Sequence, residues 1–109
     1  MKLSNDFGMP DDYKCDGCGS GWSAKFIPNT IYFLSIKEAC RIHDYAYEKG
    51  KTLEDKEKAD REFLNNLLRI IEGFDKWYYP TYFAKQRALK YYEAVVRFGG
   101  VAFWDGKHL

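Results

Sequence analysis

Two amphipathic helical stripes separated by a two-residue link constrain this chain more tightly than any other feature. Ile36, Ala39, Cys40, His43 and Tyr47 fall at i, i+3, i+4, i+7 and i+11, which is one face of an α-helix. Asp60, Phe63, Leu64, Leu67, Leu68 and Ile71 repeat the pattern. Between the two helices lies only Gly50-Lys51. A link that short makes the helices antiparallel neighbours whose apolar faces meet. Each stripe carries polar residues, so His43, Tyr47 and Asp60 are brought into one interior.

The boundaries follow from local signals. Ser35-Ile36-Lys37-Glu38 reads as a capping box that opens the first helix. Gly50 is a good C′ residue to end it. Thr52-Leu53-Glu54-Asp55 is a weaker box, with Asp55 where glutamate is preferred, and Gly73 is a plausible terminator. A third helix runs from Pro80, suited to the first helical position, to about Phe98 before Gly99-Gly100. Its apolar marks are Phe83, Ala84, Ala88, Tyr91, Tyr92, Val95 and Val96.

The rest is less regular. Residues 1–25 are rich in turn formers and include the glycine-rich stretch Gly17-Cys18-Gly19-Ser20-Gly21. The run Ile31-Tyr32-Phe33-Leu34 is too short to assign by period. Residues 101–109 read as a tail. The expectation is one all-α domain over 1–109, with two long antiparallel helices, a glycine-rich loop and a C-terminal helix.

Composition removes several function classes. The formal net charge of +1 over 109 residues argues against a nucleic-acid binder. Three cysteines allow at most one intramolecular disulfide, so the chain is not a disulfide scaffold. The first residues lack the apolar stretch of a signal peptide, and no apolar run is long enough to span a bilayer. A soluble domain is expected. Aromatics make up 18% of the residues, more than a small core readily buries, which suggests a lipid or protein contact surface.

A buried carboxylate needs partners. His43 can donate a ring N–H to Asp60, and Tyr47, one turn on, can donate its hydroxyl. The carboxylate then fixes the imidazole tautomer and stabilises its protonated form, leaving the other ring nitrogen to take a proton from water or a nucleophile. Asp44 points away from His43 by about 100° of helix rotation, towards the glycine loop. Loop carbonyls with one carboxylate make an oxygen-rich site suited to Ca²⁺.

Cys18-Gly19-Ser20-Gly21, then Cys40-Arg41-Ile42-His43-Asp44-Tyr45-Ala46-Tyr47, then Ala59-Asp60 resembles the secreted phospholipase A2 family over roughly residues 15–70. The resemblance implies a calcium site made by carbonyls of Gly17, Gly19 and Gly21 with Asp44. It implies His43 as general base, Asp60 as its orienting partner and Tyr47 as support for Asp60. The Gly19 amide and Ca²⁺ would stabilise the oxyanion as water attacks the sn-2 ester of a glycerophospholipid. The products would be a lysophospholipid and a fatty acid. The resemblance also implies a Cys18–Cys40 disulfide, with Cys15 left over.

The chain departs from the family pattern at several places. Gly17 stands where an aromatic is common, and Trp22 replaces the last loop glycine. Ala46 and Ala59 remove both ends of one family disulfide together. Gly50-Lys51 leaves no room for a β-hairpin wing, and little room precedes residue 17 for an N-terminal helix. These departures resemble a minimal prokaryotic or viral type, secreted or virion-associated by a route these residues do not encode.

Rival readings exist. Cys15, Cys18, Cys40 and His43 have the spacing of a Cys₃His zinc set, which would make the chain a structural or interaction module. That set leaves Asp44, Tyr47 and Asp60 unexplained. A phospholipase fold kept as a lipid- or protein-binding module is a third reading, against which the intact His–Asp pair argues. Phe63, Phe83, Tyr91 and Tyr92 are most simply core. Trp77-Tyr78-Tyr79, with Trp22 and Phe26, is a candidate contact with a phospholipid membrane surface. Lys76, Lys85, Arg87, Lys90 and Arg97 could add attraction to anionic lipid, or form an ordinary solvated face.

Overall fold

The computed structural model describes residues 3–13, 28, 30–74 and 76–104. Six elements follow in order: β1 (Thr30–Ile31), β2 (Leu34–Ser35), α1 (Lys37–Lys49), α2 (Leu53–Gly73), α3 (Thr81–Phe98) and α4 (Gly100–Trp104). The described residues are mostly helical, with one short two-stranded sheet among them. No helix among the described residues is long and apolar enough to cross a membrane.

The helical hairpin forms as its stripes require. All five residues of the α1 stripe are buried, as are Asp60, Phe63, Leu67 and Ile71 of the α2 stripe. No strand lies between α1 and α2. The Thr52 box is complete: Thr52 Oγ1 accepts the Asp55 amide at 3.1 Å, and Asp55 Oδ2 accepts the Thr52 amide at 3.2 Å. A third bond, from the Lys51 amide at 2.8 Å, is the chief reason the exposed Asp55 carboxyl is held below its ordinary range.

The start of α1 departs from expectation. Ser35 is not the N-cap residue, although its hydroxyl accepts the Lys37 amide at 3.5 Å. The helix begins at Lys37 behind Ile36, with no side-chain cap bond. Ser35 is taken by β2, where it pairs with Thr30, while Ile36 is fully buried and fixes the entry of the chain. Glu38 does not reach back; it grips the Arg41 guanidinium through both carboxylate oxygens, at 2.7 and 2.9 Å. Gly50 ends α1 in extended geometry, with φ of −66° and ψ of 150°. Glycine is needed there for room. A Cβ would stand 2.7 Å from Phe103 Cε1 and 3.1 Å from both Ala46 O and Asp55 Cβ.

The run at 31–34 is a hairpin, so the chain is not purely helical. Ile31 pairs with Leu34, and the two-residue turn Tyr32-Phe33 has φ of 46° and 72°. Positive φ at both positions is the twist a tight hairpin requires, and it is costly for side-chain-bearing residues. Two tyrosine hydroxyls anchor the hairpin to the helices: Tyr79 to Ile31 O at 2.7 Å and Tyr91 to Thr30 O at 3.1 Å.

α3 meets the core along Ala84, Ala88, Tyr91 and Val95. Two alanines on that line let it approach α2 closely. The line excludes Phe83, 61% exposed, as well as Val96, and leaves Tyr92 half-buried. The expectation of Phe83 and Tyr92 as core therefore fails, because each lies about 100° of rotation from a residue of the buried line. Pro80 precedes the helix as its N-cap and is not its first residue.

The 3–13 segment is irregular, as expected, but firmly tied. Asn66 Oδ1 accepts the Ser4 amide at 2.7 Å and its Nδ2 donates to Ser4 O at 2.9 Å. Glu62 Oε2 accepts the Asp6 amide at 2.7 Å and the Ser4 hydroxyl at 2.9 Å.

The tail holds a further surprise. Gly99 carries α3 into the short helix α4, whose Phe103 is fully buried among Ala46, Tyr47 and Ala59. Phe103→Ala is expected to lower stability by about 3–5 kcal/mol, the usual cost of emptying a buried phenyl site. The midpoint of urea unfolding, compared with that of the unaltered chain, checks this.

Candidate functional site

The polar residues of the two stripes meet where the sequence places them. His43 Nε2 lies 2.8 Å from Asp60 Oδ1, and the Tyr47 hydroxyl donates to the same oxygen at 2.6 Å. Asp60 is 1% exposed. One turn of α1 brings His43 and Tyr47 onto the same side, with ring centroids 4.2 Å apart. Phe63, one turn beyond Asp60 on α2, covers the imidazole at 4.7 Å. Phe103 closes over Tyr47 edge-on at 5.2 Å.

Lys56 is a member of this cluster that the stripe pattern did not single out. It is 6% exposed and donates to Asp60 Oδ2 at 2.8 Å. The signal was present, since Lys56 and Asp60 stand at i, i+4 on one helix. A lysine among many charged residues on α2 reads as solvated. Its long stem instead runs inward, and its ammonium also reaches the carbonyls of Val95 and Val96 at 3.3 and 3.4 Å. Gly99 belongs to the same wall, because a Cβ there would collide with the Tyr47 hydroxyl and the Val95 carbonyl.

The electrostatics follow from these contacts. Burial pushes the Asp60 carboxyl upward, but the hydrogen bond and charge of His43, with the bonds from Lys56 and Tyr47, outweigh it. The net effect holds the carboxyl below the ordinary aspartate range. Asp60 is therefore an anion at neutral pH. The Tyr47 hydroxyl is pushed strongly upward, chiefly by burial and then by the charge and hydrogen bond of Asp60. It stays protonated and donates. An anionic acceptor fixes the proton on His43 Nε2, so Nδ1 carries the lone pair. The arrangement can accept a proton at Nδ1 and stabilise the imidazolium that results.

Asp44 follows His43 on α1 and is half-buried. Its carboxylate is a hard oxygen donor of the kind Ca²⁺ takes. The expected carbonyl donors Gly17, Gly19 and Gly21 lie outside the described residues, as do Cys15, Cys18, Trp22 and Phe26. Among the described residues no group of three or more His, Cys, Asp or Glu is placed to hold a metal. Cys40 is buried and disulfide-bonded, with a partner outside the described residues. A disulfide sulfur offers no thiolate to a metal, which counts against the zinc set of Cys15, Cys18, Cys40 and His43.

Stability should report the Asp60 charge. A carboxyl held low when folded contributes stability that is complete above the unfolded aspartate value of about 3.9 and is lost as pH falls through the folded value beneath it. Asp60→Asn is expected to be less stable at neutral pH by on the order of 3 kcal/mol, because it leaves a buried cation without its anion. The gap should narrow as acid neutralises Asp60 in the unaltered chain. Unfolding midpoints of both proteins, followed from neutral to strongly acid pH, check this.

Comparison with protein-family models, with curated proteins and with solved structures yields no match to this chain.

Proposed function

We propose that this chain is a calcium-dependent phospholipase A2-type hydrolase that cleaves the sn-2 ester of glycerophospholipids. The observation that carries the reading is the buried His43–Asp60 pair at 2.8 Å, with Tyr47 on the same carboxylate oxygen. Such a pair is an orienter and a base in the geometry that proton abstraction from water needs. The helical hairpin that holds it, with no strand between α1 and α2, fits the minimal phospholipase A2 architecture. A glycine-rich loop at 17–21 tied to α1 by a Cys18–Cys40 disulfide belongs to the same reading.

In this mechanism His43 Nδ1 takes a proton from water as the water oxygen bonds to the ester carbonyl carbon. Asp60 balances the charge that appears on the imidazole, and Tyr47 keeps the carboxylate in place. The carbonyl oxygen gains the electron pair and is met by the Gly19 amide. Collapse of the tetrahedral centre expels the glycerol oxygen, which takes the proton back from His43. Asp44 with the carbonyls of Gly17, Gly19 and Gly21 would hold Ca²⁺, which when bound supplies positive charge for the substrate phosphate and the oxyanion.

The decisive test is fatty-acid release from anionic vesicles labelled in the sn-2 chain. Release is expected with calcium, falling to background when calcium is chelated. His43→Gln should lower the rate by at least about a thousandfold through loss of the base. A folded chain that releases no fatty acid from anionic or zwitterionic vesicles would overturn the reading.

A membrane contact accompanies the proposal. Trp77 is 97% exposed and Phe33 101% exposed, beside a groove of about 370 Å³ lined by Tyr32, Phe74 and Tyr78 among others. Lys76, Arg87 and Lys90 are exposed, as is Arg97 at the far end of α3, whereas Lys85 is half-buried and bridges Glu72 at 3.2 Å. Arg87 stacks over Tyr32 at 5.3 Å. Aromatic rings seat at headgroup level, and neighbouring cations favour anionic lipid. At 1.5 Å per residue this rim lies about 20 Å along α2 from Asp60. It would therefore act as a foothold at a distance from the His43–Asp60 pair. Trp77→Ala is expected to weaken binding to anionic vesicles by about fivefold or more. Sedimentation with the vesicles measures this, and unchanged binding removes Trp77 from the contact.

A further inference from the structure

Each half of the Asp60 carboxylate has its own partners. Oδ1 takes His43 Nε2 at 2.8 Å and the Tyr47 hydroxyl at 2.6 Å. Oδ2 takes Lys56 Nζ at 2.8 Å. An ammonium has three protons to donate, and Lys56 has three acceptors within reach: Asp60 Oδ2, Val95 O at 3.3 Å and Val96 O at 3.4 Å. Two of these belong to the last turn of α3, whose carbonyls form the negative end of that helix and favour a cation. The ammonium is thus a tripod between the carboxylate and the backbone of α3.

We propose that Lys56 is a positioning residue for His43, acting through Asp60: by fixing Oδ2 against the end of α3 it sets the plane of the carboxylate and keeps Oδ1 aimed at Nε2. The kinetic part of this inference rests on the hydrolase reading above, and the structural part does not. His43 and Tyr47 both hold Oδ1, so they restrain one side of the carboxylate. The Lys56 contact on Oδ2 holds the other side, so rotation of the carboxylate plane is opposed at both oxygens. The buried Lys56 stem follows the same helix as Asp60, one turn before it, so α2 presents carboxylate and cation as one preassembled unit. A lysine that served only to tie α2 to α3 would affect stability and leave the orientation of the imidazole unchanged.

The test uses the whole chain and Lys56→Met, which matches the stem in volume and removes the charge. Two measurements are made on each folded protein. One is the hydrogen-bonded Nε2 proton of His43 in histidine-selective ¹⁵N spectra, assigned by its loss in His43→Gln. The other is sn-2 hydrolysis of phosphatidylglycerol vesicles with calcium. In Lys56→Met the Nε2 proton is expected to broaden or move upfield. The turnover number should fall by about tenfold or more, as misplacement of a catalytic group predicts, while the half-saturating vesicle concentration stays within about twofold. A folded Lys56→Met with an unchanged Nε2 proton overturns the proposal, whatever its rate. If Lys56→Met does not fold, Lys56→Gln, which keeps donors at similar reach without the charge, is measured against the same criteria. A wild-type chain that cleaves no lipid while the Nε2 proton still responds to the substitution removes the hydrolase reading and keeps the positioning role. A wild-type chain that cleaves lipid with a Nε2 proton indifferent to Lys56 does the reverse.

Discussion

A buried carboxylate is the constraint on which this structure turns. Asp60 sits in the middle of the interior, where an anion is tolerated only if surrounded by donors. Each neighbouring helix contributes to its accommodation. α1 supplies the imidazole of His43 and the hydroxyl of Tyr47; α2 supplies Lys56. α3 supplies the carbonyls that hold the lysine, and α4 supplies Phe103, which covers Tyr47. The apolar packing around Asp60 keeps its carboxylate from solvent. That exclusion makes the polar contacts strong and makes the loss of any one of them costly.

The helical hairpin and its polar triplet were legible because they rest on periodicity and on a link too short to permit another arrangement. His43, Tyr47 and Asp60 needed no more than helix geometry to be brought together. Ser35 serves the helix start only through a long bond to the Lys37 amide, because its backbone is committed to strand pairing in the hairpin at 30–35. Nothing in a four-residue apolar run announces a turn made by Tyr32 and Phe33 at positive φ, since glycine and asparagine usually hold such positions. Phe83 and Tyr92 were misjudged because α3 is apolar on more than one side, and only its packing against α2 selects which side is buried.

Lys56 and Phe103 went unseen for different reasons. A lysine enters a core only when an anion and helix-end carbonyls await it, and those carbonyls come from Val95 and Val96, far along the chain. Phe103 lies in a five-residue helix, too short to show a period. Glu62 and Asn66 look like the solvated side of α2, yet they clamp the backbone of Ser4 and Asp6. In each case the missing information was tertiary, because a polar or isolated residue is buried only by virtue of its partner.

The three-residue link at 50–52 bears on the order in which the site is made. His43 and Asp60 are 17 positions apart, so closing that loop is entropically cheap and local helix pairing suffices. The carbonyls that receive Lys56 are 39 and 40 positions away and arrive only when α3 docks. A growing chain can thus join imidazole to carboxylate while the lysine is still in water. Sequence separation alone lets the pair form before the lysine finds its carbonyls.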